Sequence, residues 1–192
     1  MIHKIKVLSL IVALMGVVSC SDNSSDALDI DSVQGEGTIN VTGAVEAEHE
    51  GISWFLGLKS GGDNSYANLI LTINDVGFAS EEESTYSLSI RMVGDDGPFT
   101  LSTGEYEIGH DSEGPLIIVE YIYKEGSVRA GYGTSPDASG TVTIQSISDT
   151  SVEASFDVSL EAGQSTANSG FVNVTGNLTA TCADVPNAGC PD

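Results

Sequence analysis

Tyr86-Ser87-Leu88-Ser89-Ile90-Arg91-Met92 alternates apolar and polar residues without a break. In an extended chain successive side chains point to opposite faces, so Tyr86, Leu88, Ile90 and Met92 share one face and the polar residues the other. A strand half-buried in an antiparallel sheet is the structure that calls for this pattern. Working outward, similar runs occupy 38–45, 52–58, 67–73, 116–123, 128–132, 141–147, 151–160 and 171–181. Turn-forming clusters separate them, among them Gly61-Gly62-Asp63-Asn64, Gly94-Asp95-Asp96-Gly97-Pro98 and Ser135-Pro136-Asp137. No segment sustains a helical period. The expectation is therefore an all-β domain, a single antiparallel β-sandwich or barrel of about 8–10 strands.

Two local features refine this expectation. Leu116-Ile117-Ile118-Val119 is apolar at consecutive positions, which suits a central strand covered on both faces. The first and last runs resemble each other, Gly37-Thr38-Ile39-Asn40-Val41-Thr42-Gly43 against Gly170-Phe171-Val172-Asn173-Val174-Thr175-Gly176. Either two edge strands close the sheet on each other, with Gly43 and Gly176 at bulges or bends, or a Thr/Val/Gly-rich composition repeats by chance.

The chain opens with Lys4 and Lys6, followed by the uncharged apolar run Val7 to Val18. This is the n-region and h-region of an export signal, and the run is shorter than the roughly 18 residues that suggest a spanning helix. Val17-Val18-Ser19-Cys20 resembles the lipobox of bacterial lipoproteins. The resemblance implies cleavage before Cys20, a diacylglyceryl group and fatty acyl (palmitate-type) chains on that cysteine, and anchorage in a membrane. Buried acyl CH₂ groups contribute roughly 0.8 kcal/mol each, so two or three chains would hold the protein without any helix. Residues 1–19 then form the signal peptide, 20–36 a small, polar, acidic tether, and 37–192 the β-domain. Serine rather than aspartate at position 21 departs from the inner-membrane retention signal of enteric lipoproteins, so for a host of that kind the resemblance implies the outer membrane. The stretch Ser21-Asp22-Asn23-Ser24-Ser25-Asp26 is similar to the surface-export signals of Bacteroidetes lipoproteins, and Asp31-Ser32-Val33 to their O-glycosylation pattern. Ser139 to Asp149, Val152 to Leu160 and the Gly104-Glu105-Tyr106 turn resemble small β-rich lipoproteins of that group, whose activity is unknown.

Cleavage would leave four cations (Lys59, Arg91, Lys124 and Arg129) against 28 acids, a mature net charge of −24. Four scattered cations cannot displace the counterions of a nucleic acid, and anionic lipid headgroups would repel the domain. The expected partners are the membrane, through the lipid alone, and an envelope protein or glycan. Of the three cysteines, Cys20 takes lipid; Cys182 and Cys190, enclosing a turn-rich loop in an oxidising compartment, are expected to form a disulfide that staples the C-terminal tail.

Candidate chemistry is sparse. Glu46-Ala47-Glu48-His49-Glu50 is the densest ionisable cluster with a histidine, but strand alternation turns His49 away from the glutamates, and it reads as a solvated strand end. His110, beside Asp111 and Glu113, could complete a metal site only through the fold. Asp95, Asp96 and Asp63 sit in glycine-flanked bends and offer oxygen ligands to calcium, without the spacing of a calcium loop. Gly163-Gln164-Ser165-Thr166-Ala167 only approaches a nucleophile elbow. Trp54, among Ile52, Phe55 and Leu56, reads as core. No catalytic residue is assigned. The leading expectation is a non-enzymatic binding or structural module, followed by a calcium- or glycan-dependent adhesion module and then a surface hydrolase. No resident cofactor is expected, with calcium the one candidate.

Overall fold

A computed structural model describes residues 35–60, 64–78, 80, 82–109, 114–126, 128–148, 150–163 and 169–183. The proposed signal peptide, residues 20–34 of the tether with Cys20, Asp63, His110, residues 164–168 and Cys190 lie outside them; the last two residues assigned to the tether, Gly35 and Glu36, belong to the first strand instead. The described chain forms eleven strands: β1 (Gly35–Gly43), β2 (Ala47–Lys59), β3 (Ser65–Asn74), β4 (Tyr86–Val93), β5 (Phe99–Thr100), β6 (Gly104–Glu107), β7 (Leu116–Glu125), β8 (Val128–Gly133), β9 (Ser139–Ile147), β10 (Ser151–Ala162) and β11 (Phe171–Cys182). All nine expected runs are strands. The alternation of Tyr86–Met92 is that of β4, whose Tyr86, Leu88, Ile90 and Met92 are all buried.

Of the two expected architectures, the fold is the barrel. Eight strands close an antiparallel ring in the order β1-β2-β3-β4-β7-β8-β10-β11 and back to β1. β8 covers only part of the gap between β7 and β10: Glu161 and Ala162 of β10 pair with Gly133 and Tyr132. At the next level down, β9 lies on β10, β6 lies on β9, and a bridge from Gly109 to Ile117 returns to β7. β5 is a two-residue addition to the end of β3.

The first and last strands do meet. β1 and β11 pair over eight residues, from Glu36 opposite Thr179 to Gly43 opposite Val172. Neither is an edge, because β1 also pairs with β2 and β11 with β10. Where β1 begins, at Gly35, β2 and β11 come together directly as a short parallel pair, Thr181 with Trp54 and Cys182 with Phe55. The wholly buried Ser53 sits at this three-strand junction, its Oγ 3.0 Å from the Glu36 carbonyl and 2.7 Å from that of Thr179. Gly43 does mark a bend, at φ +109°. Gly176 marks a close approach instead: a Cβ there would lie 2.0 Å from the Thr38 carbonyl and 2.6 Å from the Phe156 ring.

One apolar core fills the ring, drawn from the inward positions of every long strand. The outward positions of β10 are Glu153, Ser155, Asp157, Ser159 and Glu161, all polar, whereas those of β2 include Ile52, Trp54, Leu56 and the exposed Leu58. No helix among the described residues is long and apolar enough to cross a membrane.

Two sequence readings are corrected. Trp54 does not enter the core: the inward positions of β2 are Ser53, Phe55 and Gly57, so Trp54 faces out, half-buried, with Phe78 packed edge-on against it at 4.9 Å. Phe55 takes the core position. Likewise only Ile117 and Val119 of the apolar run face inward; Leu116 and Ile118 are half-buried on the outer wall, Ile118 opposite Arg91 of β4 in the register.

Ser53 gives a test of the junction. Ser53→Val leaves the Glu36 and Thr179 carbonyls without the hydroxyl that donates to them, and is expected to cost about 1–3 kcal/mol. The midpoint of urea unfolding should fall at constant slope; an unchanged midpoint would contradict the role assigned to this hydroxyl.

Candidate functional site

The cluster at Glu46 to Glu50 does not end a strand; from Ala47 on it opens β2. Glu48 and Glu50 project outward and are exposed, as alternation requires, while His49 points into the barrel. This corrects the reading of a solvated strand end. The His49 ring stacks on Tyr86, with centroids 4.0 Å apart and planes 13° from parallel, and its Nε2 shares a 2.9 Å hydrogen bond with the Tyr121 hydroxyl. Tyr121 in turn lies against Tyr132, with ring centroids 6.4 Å apart. The Tyr86 hydroxyl donates to the Glu50 carbonyl at 2.6 Å, across Gly51, where a Cβ would collide with that hydroxyl.

The electrostatics follow from this enclosure. Burial lowers the His49 pKa from 6.5, partly offset by the negative charge of Asp75. Burial raises Tyr121 far above the ordinary tyrosine value, helped by Tyr123 and Tyr132, and raises Tyr86, helped by Asp75 and Glu50. Burial also raises Asp75, but hydrogen bonds from the Thr85 side chain and backbone outweigh it and leave the carboxyl below its usual range. The result is a neutral imidazole held between protonated phenols. Among the described residues no serine, threonine or cysteine is hydrogen-bonded to His49; its partner is the Tyr121 phenol, which burial holds protonated.

The calcium candidates are dispersed. Asp95 and Asp96 lie on the bend between β4 and β5, at a recess of about 570 Å³ that Tyr106 and Pro115 help to line. The glycines of that bend serve its shape: Gly97 has φ +142°, and a Cβ on Gly94 would lie 1.8 Å from the Gly97 carbonyl. Asp63 lies outside the described residues. Among those described, no three His, Cys, Asp or Glu side chains converge as a metal shell. Cys182 is buried at the end of β11, and its expected partner Cys190 lies outside the described residues. The Gly104-Glu105-Tyr106 turn is a clasp: the Tyr106 hydroxyl donates to the Ser102 carbonyl at 2.9 Å and accepts from the Ser102 amide at 3.1 Å, around Gly104 at φ +146°.

Two further recesses open on the outer wall. One, of about 460 Å³, lies over the small residues Gly131 and Gly133 of β8, between Glu120 and Arg129. The other, of about 370 Å³, lies over the start of β2, where Thr38, Asn40, Glu48, Glu50 and Thr175 surround it. Composition alone did not single out this last region, because none of its residues is unusual by itself; it emerges only when β1 and β11 are set side by side.

Comparison with protein-family models, with curated proteins and with solved structures gives no match to this chain.

The His49 environment makes a pH prediction. The folded pKa lies below the unfolded value near 6.5, so between the two the unfolded chain binds the extra proton and stability rises with pH. The contribution is complete above pH 6.5 and is lost as pH falls below it. Because 28 carboxylates also titrate in acid, the readout is a difference. The melting temperature of the native protein should drop more steeply between pH 7 and 5.5 than that of His49→Phe, which keeps the stack on Tyr86 without the ionisable ring. Parallel profiles would contradict the buried neutral imidazole.

Proposed function

We propose that the mature chain is a cell-envelope lipoprotein, held at an outer membrane by lipid on Cys20, whose barrel acts as a non-enzymatic binding module. The observation that carries this reading is the division of the barrel between an interior filled by side chains and an outer wall that holds the recesses. A small eight-stranded barrel either packs its interior or encloses a ligand there. This one packs it, so an occupant is to be sought on the wall. The acidity of the chain turns that wall away from nucleic acid and from anionic headgroups, which suits a domain standing off the membrane on a tether. A disulfide between Cys182 and Cys190 belongs to the same proposal, since it presupposes export to an oxidising compartment. The hydrolase reading has less support, because the one described histidine is neutral and enclosed, and the hydroxyl bonded to it is the Tyr121 phenol, held protonated by burial.

Anchoring is tested through Cys20. The native protein should fractionate with membranes and enter the detergent phase on phase separation, and globomycin should cause its precursor to accumulate. Cys20→Ala should shift the protein to the soluble fraction. A Cys20→Ala protein that stays with membranes, together with indifference to globomycin, would overturn the lipid anchor.

A further inference from the structure

We infer that the outer wall formed by β1, β11 and β10 is a docking surface for a neutral polysaccharide chain. This deepens the binding-module reading and rests on it.

The repeated Asn-Val-Thr of the first and last strands gains its meaning from their register. Antiparallel pairing sets Thr38 opposite Asn177, Asn40 opposite Thr175 and Thr42 opposite Asn173. Each cross-strand pair therefore joins one hydroxyl to one amide, three times in succession on the outward face. β10 extends the rows, with Ser155, Asp157 and Ser159 opposite Asn177, Thr175 and Asn173. On the other side Glu50 and Glu48 stand opposite Thr38 and Asn40. Adjacent strands are about 4.8 Å apart and like-facing residues about 6.7 Å apart along a strand, so the face is a regular grid of donors and acceptors. None of the six Asn and Thr side chains makes a hydrogen bond within the chain among the described residues. Five of the six are exposed, and Thr175 is half-buried at the recess beside Gly176.

The chemistry selects the partner. An amide and a hydroxyl each donate and accept, matching a chain of sugar hydroxyls, and carboxylates at the margin accept from hydroxyl pairs. Threonine is stiff about χ1 and the strands are fixed by pairing on both edges, so ordering these groups on binding costs little entropy. β1, β10 and β11 carry no Lys or Arg, so an anionic polysaccharide would meet no counter-charge and the repulsion of the whole acidic chain. A cationic partner would be drawn to the marginal carboxylates and leave the central amides and hydroxyls unused.

The test is affinity electrophoresis of the lipidated protein in neutral detergent, in gels containing mannan, dextran or xyloglucan, with alginate as the anionic probe. At least one neutral polysaccharide should retard the protein, equally at low salt and in 0.5 M NaCl, while alginate does not. The combined variant Asn40→Ala, Asn173→Ala, Asn177→Ala should weaken the interaction at least about tenfold. Thr175→Arg, which keeps the amides and places bulk over the recess, should weaken it as well, and Arg91→Gln on the opposite wall should leave it unchanged. Melting curves of the variants establish that they fold. Retardation that survives both face variants overturns this assignment and leaves a binding lipoprotein whose site is elsewhere. Retardation by alginate, or binding abolished by salt, overturns the neutral partner. Absence of retardation in all three neutral gels overturns the inference while leaving the anchoring through Cys20 intact.

Discussion

The structure depends on β1 being hydrogen-bonded on both edges, to β2 on one side and to β11 on the other. A sheet with a free edge exposes a row of unpaired backbone groups to the next molecule, and closing the ring removes that hazard. The strands that close it are about 135 residues apart in sequence, as with Asn40 and Thr175. Such a closure loses much chain entropy before its contacts reward it, which places this topology among the slower folders. Ser53 is the small buried polar group at the three-strand junction, where its hydroxyl serves two carbonyls.

Closure also sorts the side chains. Once the ring is sealed, each strand has one inward and one outward face, and at three places the interior makes room for a large ring where a neighbour gives up its side chain. Tyr86 lies against Gly51, Tyr66 against Gly57 and Phe156 against Gly176. In each case an added Cβ would lie under 3 Å from the aromatic group, so these glycines are spaces shaped for rings as much as bends of the backbone. The same enclosure holds His49 neutral. The outer wall, relieved of packing duties, carries the polar rows and most of the acids described.

Alternation alone made the nine long strands legible. β5 and β6 were not, because two and four residues are too few to show a period. Period-two reasoning placed Glu48 and Glu50 opposite His49, but did not carry β2 back to Ala47, so the histidine was read as solvated; Gly51, which admits Tyr86, is the residue that could have signalled the enclosure. Trp54 and Phe55 are adjacent and both aromatic, and only the register with Ser53 and Gly57 decides which faces in. Sandwich and barrel could not be separated from the sequence, since both bury one face of each strand. The likeness of the first and last strands was the one hint of closure, and their pairing turned it into a surface: the strands run antiparallel and juxtapose amide with hydroxyl at three successive outward steps.

Closure by the chain's two ends is thus what unites the filled interior, the neutral histidine and the polar outer wall. It is tested most directly by cross-strand proton contacts in the nuclear magnetic resonance spectrum of the labelled protein, read together with amide exchange. Antiparallel partners have Cα atoms about 4.5–5.5 Å apart, close enough for such contacts. Contacts linking Asn40 with Thr175 and Thr42 with Asn173, with slowly exchanging amides along β1, are the expected result. A β1 that shows contacts only to β2, with freely exchanging amides on the side facing β11, would contradict the closed barrel.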